Sequence, residues 1–290
     1  MIIAEIGCNH MGDFELCKKM IKCAKEKGAY AVKFQKRKPK ECLSENQYNS
    51  PHPVQHNSYG NTYGEHREFL EFDISQHKQL KEYCESINII YSTSVWDKTS
   101  ATEIVALNPA YIKVGSPSNL HFEMQKILRD DYRGDVHISL GMTTDEEIEE
   151  IMKFWNGHHN RIVLYACTSG YPVCHDDVYL LEIRKLINKY GSIVKEIGFS
   201  GHHLGIAIDS AALALGATWI ERHFTLDRTW KGTDHAASLE PSGLEKLCRD
   251  ALAIKFALKE KPNKMASVEI LTRKKLKYGV GDELEQNSTK

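Results

Sequence analysis

The chain has 290 residues, of which 41% are hydrophobic, and its formal net charge at pH 7 is -1. A chain of this length and hydrophobic content buries a large core, which excludes a mostly disordered protein. A nearly neutral chain has no field that would attract nucleic acid or an anionic membrane, so we predict neither as a partner.

The N-terminus and the cysteines indicate a cytoplasmic location. The first residues, MIIAEIGCNH, reach Glu5 without a basic region or a long apolar run, so we predict no signal peptide. No later segment has the roughly 18 uninterrupted apolar residues of a membrane span. The eight cysteines include no C-x-x-C pair, which predicts reduced thiols rather than a disulfide framework or a zinc site.

Eight short apolar runs alternate with segments of helical pattern along the chain. The predicted strands are residues 2–7, 30–35, 89–94, 110–116, 135–141, 161–169, 196–202 and 219–225. Strand-helix alternation repeated eight times predicts an α/β protein with a (β/α)₈ (TIM) barrel, because eight parallel strands with right-handed crossovers can close. A doubly wound open sheet is the alternative fold.

Two segments between the strands carry clear helix signals. Residues 143–155 begin with a capping box formed by Thr144 and Glu147, followed by apolar residues on one face. Residues 241–260 begin at Pro241 and repeat leucine, alanine and isoleucine at helical spacing. Both patterns predict amphipathic helices that cover the sheet.

One domain accounts for most of the chain. We place the barrel at residues 1–262 and a partly disordered C-terminal extension at residues 263–290, whose last ten residues are polar. The second strand-to-helix connection, residues 36–74, is too long and too aromatic for a simple turn. It therefore predicts either a lid or a packed excursion.

Polar residues follow the ends of the predicted strands, where active sites of this fold lie. Two lysines, two histidines and a row of hydroxyls would share one rim. These residues are Glu5, Lys33, Gln35, Thr93, Lys113, Ser116, Ser139, Thr168, Ser169, Ser200, His202 and His223. Two lysines at adjacent strand ends would hold a phosphate or a carboxylate, and hydroxyls would add hydrogen bonds.

Two kinds of chemistry are open at this rim. His202 and His223 end consecutive strands, so both could face one divalent cation and leave positions for substrate and water. Asp234, in the loop after the last strand, is a candidate acid–base group or ligand of a sugar hydroxyl. Lys33 or Lys113 could instead form a Schiff base, as in a class I aldolase. We rank this second, because two lysines among hydroxyls suit an oxyanion better.

Eight ordered motifs resemble the N-acetylneuraminate (sialic acid) synthase family. They are AEIGCNHMGD, VKFQK, the inserted GNTYGEHREFLEF, YIKVGS, ISLGM, CTSGYP, IGFSGH and ERHFTLDRTWKGTDHAASLEP. The match covers about residues 2–260, and the run from Cys167 to Pro241 is most similar to the animal-type enzymes. Ordered motifs along a whole domain are more specific than any single one.

The resemblance implies a metal-dependent condensation of phosphoenolpyruvate with an open-chain N-acylated mannosamine, or its 6-phosphate. The product would be a sialic-acid-like nonulosonate, with release of phosphate. The resemblance also implies Mn²⁺ or Mg²⁺ on His202 and His223, and a homodimer. Its candidate catalytic residues are Glu5, Lys113, Tyr171 and Asp234. Its candidate substrate-binding residues, extended by two strand-end positions, are Lys33, Gln35, Thr93, Ser116, Ser139, Thr168, Ser169 and Ser200.

Two departures from the family pattern concern the sugar substrate. Two places beyond the serine of KVGS the family has an acidic residue, whereas this chain has Ser118. The family also continues into a small antifreeze-like domain that reaches the partner's sugar site, and we expect none in a chain ending at Lys290. We therefore predict altered acceptor specificity. A catalytically silent sugar-binding barrel is the third hypothesis.

Overall fold

The computed structural model describes residues 1–262 and 264–279. Within these residues, eight parallel strands follow one another around a closed barrel, and the last pairs with the first. The strands are β1 Ile2–Gly7, β2 Ala31–Lys36, β3 Ile90–Val95, β4 Tyr111–Val114, β5 Asp135–Ser139, β6 Ile162–Cys167, β7 Glu196–Gly201 and β8 Trp219–His223. The predicted (β/α)₈ barrel is confirmed, and the open sheet is wrong.

Helices connect the strands and cover the outside of the barrel. They are α1 Phe14–Glu26, α2 Pro39–Cys42, α3 Glu45–Asn49, α4 Tyr63–Phe69, α5 Ile74–Ser86, α6 Lys98–Leu107, α7 Phe122–Asp130, α8 Asp145–Phe154, α9 Glu182–Tyr190, α10 Ala207–Ala214, α11 Pro241–Ala257 and α12 Glu269–Leu276. Both helices predicted from end signals are present. The capping box before α8 is formed by Thr144 and Glu147, which satisfy each other's backbone N–H groups.

The barrel interior is apolar at its base. Six apolar side chains pack there, Ile3, Ala31, Tyr111, Val163, Tyr165 and Trp219, and the buried ring of His137 stacks on Tyr111 at 4.0 Å. Side chains alternate between the two faces of a strand, so the next inward position lies two residues further along. On four of these strands that position holds Glu5, Lys33, Lys113 or Glu221. The apolar base thus supports a charged layer at the C-terminal ends of the strands.

The long connection between β2 and β3 is a packed excursion that contains α2, α3 and α4. His66 is 1% exposed and lies between the rings of His52 and Tyr59, at 4.4 and 5.9 Å. The hydroxyl of Tyr59 donates to the carbonyl of Lys231 at 2.6 Å, in the loop that follows β8. The excursion and this loop therefore meet beside the mouth of the barrel.

The chain separates into two compact units, residues 1–255 and the described residues from Phe256 to Gly279. The first unit contains the whole barrel, and the second contains α12. The predicted boundary at residue 262 and the partial disorder beyond it stay predictions. The polar tail at residues 281–290 lies outside the described residues.

Two findings bear on the predicted environment of the chain. In residues 1–262 and 264–279, no helix is long and apolar enough to cross a membrane. All eight cysteines lie within the described residues and are free thiols.

Acid is expected to destabilise the fold through the buried imidazole of His77. This ring is fully buried between α5 and β3, with Nδ1 2.7 Å from the hydroxyl of Tyr91. Burial, aided by the charge of Lys36, lowers the pKa of His77 to about 3. The unfolded chain takes up this proton near pH 6.5, so stability is complete above that pH and falls toward pH 3. The loss at pH 5 is about 2 kcal/mol.

Urea unfolding of His77→Gln at pH 7.5 and pH 5 measures this effect. The amide keeps a hydrogen bond to Tyr91 but does not titrate, so the variant should lose about 2 kcal/mol less than the wild type over this pH range. His56→Gln is the matched control, because the His56 ring is exposed in the folded state. An equal loss in wild type and His77→Gln would contradict the prediction.

Candidate active site

A buried layer of four charged side chains crosses the mouth of the barrel. Lys33 Nζ forms an ion pair with Glu5 and donates to the hydroxyl of Ser94 at 2.8 Å. Lys113 Nζ lies 2.6 Å from Glu221 Oε1, and Lys33 Nζ lies 3.8 Å from the same oxygen. None of the four charged residues is more than 6% exposed. The carboxylate of Glu221 therefore joins the two lysines.

The pKa values of the two carboxyl groups in this layer are shifted in opposite directions. Burial raises the pKa of Glu5, and Lys33 opposes this effect only in part. Burial acts in the same direction on Glu221, but Lys113 and Lys33 together lower the pKa of Glu221 below its usual range. The layer thus places two lysines against two carboxyl groups, and the lysines are the groups that favour an anionic ligand.

Hydroxyl groups surround Gly141, just beyond β5. The amide of Gly141 donates to Ser116 Oγ at 3.1 Å. A Cβ atom at this position would lie 2.5 Å from Ser169 Oγ and 2.7 Å from Ser116 Oγ, so only glycine allows the two hydroxyls to approach so closely. Ser139 Oγ is buried and has no hydrogen-bond partner among the described residues. These groups can receive the oxygens of a phosphate or carboxylate.

The other predicted substrate-binding residues divide into two sets. Gln35 Nε2 donates to Glu5 at 3.0 Å, and Ser200 Oγ donates to Glu221 at 3.3 Å, so both contact the charged layer. The hydroxyls of Thr93 and Thr168 donate instead to backbone carbonyls, at 3.3 and 3.4 Å. Thr93 is paired in register with Phe34, whose side chain lies in the outer core. The hydroxyl beside Lys33 belongs to Ser94.

The two histidines predicted as metal ligands lie side by side at the ends of β7 and β8. The ring centroids of His202 and His223 are 5.5 Å apart. Nδ1 of His202 donates to the carbonyl of Thr168 at 3.0 Å, which leaves its Nε2 with a free lone pair. Burial and the nearby His223 lower the pKa of His202 to about 3, so the ring is neutral at physiological pH. Neutral imidazoles are the form that binds metals.

The residues around these histidines include the predicted sugar ligands. Asp234 Oδ2 lies 3.9 Å from Nδ1 of His223, and the ring of Tyr171 lies 4.3 Å from the ring of His202. Burial acts to raise the pKa of Asp234, but His223 and then Arg67 lower it, so the carboxylate stays ionised. In the part of the chain that the structure describes, no group of three or more His, Cys, Asp or Glu side chains could hold a metal ion.

The side chain of Arg222 connects the two chain segments that carry His202 and His223. Arg222, next to His223 on β8, donates to the carbonyls of His203 and Gly205 at 2.5 and 2.8 Å. It also forms an ion pair with Asp209 at the start of α10. Since the three side chains of Arg222, His203 and Asp209 are at most 1% exposed, these contacts fix the loop after β7 against β8.

Sequence reasoning missed Glu221 of the charged layer, and it chose Thr93 rather than Ser94 as the hydroxyl beside Lys33. Glu221 stands two places before His223 and Ser94 stands two places after Ser92, so the period of two along a strand directs each toward the interior. Inspection of strand ends alone selected Thr93 and passed over Glu221. Counting back from His223 would have identified Glu221.

The barrel resembles known proteins over most of its length. The NeuB family matches residues 20–263. N-acetylneuraminate-9-phosphate synthase of Homo sapiens is 38% identical over 277 residues, which cover 95% of this chain and 76% of that protein. N,N'-diacetyllegionaminic acid synthase of Campylobacter jejuni is 35% identical over 263 residues, which cover 89% of this chain and 77% of that protein.

A solved structure agrees with these relatives. The crystal structure of N-acetylneuraminic acid (sialic acid) synthetase from Leptospira borgpetersenii, in complex with citrate, superposes with a TM-score of 0.81. The two sequences are 29% identical, and the match covers 96% of this chain and 92% of that one.

Fold and site together define an enzyme of the TIM-barrel class with two buried lysines at its mouth. The chain belongs to the NeuB family of sialic acid synthases, as its motifs predicted. The predicted enzyme class, a carbon–carbon bond-forming transferase, is confirmed with the family.

Proposed function

We propose that the chain condenses phosphoenolpyruvate with an N-acylmannosamine-like aldose, or its 6-phosphate, to give a sialic-acid-like nonulosonate and phosphate. The observation that carries the proposal is the charged layer of Lys33, Lys113, Glu5 and Glu221. The hydroxyl groups of Ser116, Ser139 and Ser169 lie at the same mouth of the barrel. The names of the relatives, synthases of N-acetylneuraminate 9-phosphate and of diacetyllegionaminic acid, support this class of product.

Phosphoenolpyruvate binds at the charged layer in this proposal. Its carboxylate and phosphate are two anionic groups, and the layer offers two lysines that share one carboxylate. The hydroxyls of Ser116 and Ser139 face the ligand from the ends of β4 and β5. Because the layer is buried, these charge-assisted contacts are stronger than they would be in water.

A divalent cation is part of the proposal, and the residues present fit it. His202 and His223 would hold Mn²⁺ or Mg²⁺, because both rings lie together and the contact of His202 with Thr168 leaves Nε2 available. Two protein ligands leave the remaining positions for substrate and water. When bound, the ion polarises the aldehyde oxygen of the acceptor.

The protein's own residues orient the reaction. C3 of phosphoenolpyruvate bonds to the aldehyde carbon with the electrons of the C2=C3 double bond, and the aldehyde oxygen takes up a proton. Water adds to the electron-poor C2 and loses one proton. The C2–O bond to phosphate then breaks, while the hydroxyl at C2 gives its remaining proton to the phosphate and becomes the keto oxygen. Lys33 and Lys113 hold the carboxylate and the phosphate, and they stabilise the negative charge that the departing phosphate gains. Glu5, whose pKa is raised by burial, can take up the proton from water. Asp234 and Tyr171 hold the sugar hydroxyls.

The Schiff-base aldolase is the less favoured alternative. That chemistry requires a neutral lysine amine. Burial lowers the pKa of Lys113, but Glu221 acts against this effect from 2.6 Å and favours the ammonium form. Lys33 contacts two carboxyl groups. The same intact charged layer argues against a catalytically silent barrel, because buried charges without a function are costly to retain.

Chelation and covalent trapping distinguish these alternatives. We expect EDTA to abolish consumption of phosphoenolpyruvate in the presence of N-acetylmannosamine or its 6-phosphate, and Mn²⁺ or Mg²⁺ to restore it. Borohydride added with substrate should leave the mass of the protein unchanged. A borohydride-dependent adduct on Lys33 or Lys113 would favour the aldolase. No consumption of phosphoenolpyruvate with any aldose would favour the silent barrel.

The location and the assembly of the protein are further parts of the proposal. The eight free cysteines support the cytoplasm as the predicted location. The homodimer implied by the family resemblance stays a prediction. Gel filtration with light scattering would measure the assembly directly.

A further inference from the structure

A second cavity opens at the ends of β2, β3 and β4, beside the charged layer. Its volume is about 270 Å³. The side chains that give it its character are Arg37, Tyr63, Arg67, Trp96, Ser118 and His121. Neither the motifs nor the proposed reaction assigns a role to Arg37 or Arg67. The proposed condensation therefore leaves this cavity without a role.

A chain of side-chain hydrogen bonds links the cavity to the charged layer. Arg37 Nη2 donates to Cys8 Sγ at 3.3 Å and to the side-chain oxygen of Gln35. Gln35 in turn donates to Glu5 in the charged layer at 3.0 Å. The lining of the cavity and the charged layer are therefore connected through Arg37 and Gln35.

One of its two arginines is balanced by a carboxylate and the other is not. Arg37 is 3% exposed, and its Nε lies 2.6 Å from Glu71 Oε1. Arg67 is half-buried and donates to the hydroxyl of Tyr63 from Nε and Nη2, at 3.0 and 2.6 Å. Among residues 1–262 and 264–279, no carboxylate forms an ion pair with Arg67. Arg67 acts on Asp234 only from beyond ion-pair distance, so its guanidinium can still contact a ligand.

Elsewhere in the described lining of the cavity, one hydrogen-bond donor is free. Nε1 of Trp96 is buried and has no hydrogen-bond partner in the described part of the chain. Ser118 contributes a neutral hydroxyl, 3.4 Å from the carbonyl of Trp96, at the position where the family pattern has an acid. Glu41 is the one carboxylate in the lining; it is exposed, and Thr99 donates to it. The free N–H of Trp96 and the guanidinium of Arg67, which no carboxylate in the described ranges contacts, favour a ligand with several hydrogen-bond acceptor oxygens.

We propose that this cavity is an anion subsite that binds the phosphate of an aldose 6-phosphate acceptor, with Arg67 as the residue that determines the preference. The inference rests on the proposed condensation and selects one of its two acceptor classes. Ser118 contributes because it stands where the family pattern has an acidic residue, whose carboxylate would repel the phosphate. Arg37, held by Glu71 and stacked 4.5 Å from the ring of Trp96, supplies the second cation.

Steady-state kinetics test the role of Arg67. The wild type, Arg67→Met and Arg184→Met are compared with N-acetylmannosamine and with its 6-phosphate, and loss of phosphoenolpyruvate is followed. The wild type should prefer the phosphorylated sugar, and Arg67→Met should reduce the ratio of the two kcat/KM values roughly ten- to hundredfold. Arg184 is exposed on α9, so its variant has the same charge change away from the cavity.

A reverse substitution gives an independent result. Ser118→Asp places a carboxylate in the wall of the cavity and should raise KM for the phosphorylated sugar roughly tenfold, whereas Ser118→Asn should have a smaller effect. An unchanged acceptor ratio in Arg67→Met, or a wild type that shows no preference for the phosphorylated sugar, would overturn the proposal.

Direct binding separates this proposal from the proposed reaction. Calorimetric titration with N-acetylmannosamine 6-phosphate, without phosphoenolpyruvate, should give a dissociation constant that rises roughly ten- to hundredfold in Arg67→Met. Binding that depends on Arg67 without turnover would refute the reaction and keep the anion subsite. Turnover without any effect of Arg67 on binding or kinetics would keep the reaction and refute the subsite.

Discussion

Replacing Glu221 with glutamine is expected to lower the free energy of unfolding by about 3–5 kcal/mol and to reduce turnover severely. The substitution preserves shape but removes the carboxylate that Lys33 and Lys113 share, which leaves buried cations without their counter-charge. Urea unfolding followed by circular dichroism measures the stability. Consumption of phosphoenolpyruvate measures the activity.

The pH dependence of the Glu221→Gln variant identifies the cause. Without Glu221, burial should lower the pKa of Lys113 further below its value in the unfolded chain. The unfolded state then binds more protons than the folded state, so the stability of the variant should rise with pH between 7 and 9 relative to the wild type.

Glu149→Gln is the matched control for this substitution. Glu149 lies on the outer helix α8, where it forms an exposed ion pair with Lys189 at 2.8 Å. An exposed pair contributes about 0–1 kcal/mol, so its loss should change stability little. A Glu221→Gln variant that stays within about 1 kcal/mol of the wild type would contradict the importance of the charged layer.

Replacing either His202 or His223 with asparagine is expected to reduce turnover roughly a thousandfold or more while the fold is retained. Each substitution removes one of the two rings proposed to bind the cation, and both rings lie at the mouth rather than in the apolar core. Electron paramagnetic resonance of free Mn²⁺ measures metal binding independently of activity. We expect both variants to lose tight binding of Mn²⁺.

His158→Asn serves as the control for the histidine variants. His158 lies in the turn before β6, at the opposite end of the barrel from the mouth. The His158→Asn variant should bind Mn²⁺ and catalyse the reaction like the wild type. Tight Mn²⁺ binding or near-normal turnover in His202→Asn and His223→Asn would show that the metal site lies elsewhere or that the reaction proceeds without these rings.

The sequence by itself determined the barrel and the family. Strands and helices follow from patterns that repeat over two to four residues, and the capping box of Thr144 and Glu147 marks the start of α8 within one turn. Eight motifs in order predicted the NeuB family. These features depend on neighbours close in the chain, so their signal is present before the chain folds.

Only the tertiary structure decided which side chains meet. Lys113 and Glu221 are 108 positions apart and become partners because closure of the barrel directs both into one buried layer. Register, rather than proximity to a strand end, placed Ser94 and not Thr93 against Lys33. The cavity beside Arg67 is likewise formed by the ends of three strands together with the excursion after β2. Contacts of this kind depend on how distant segments pack, and no local pattern encodes them.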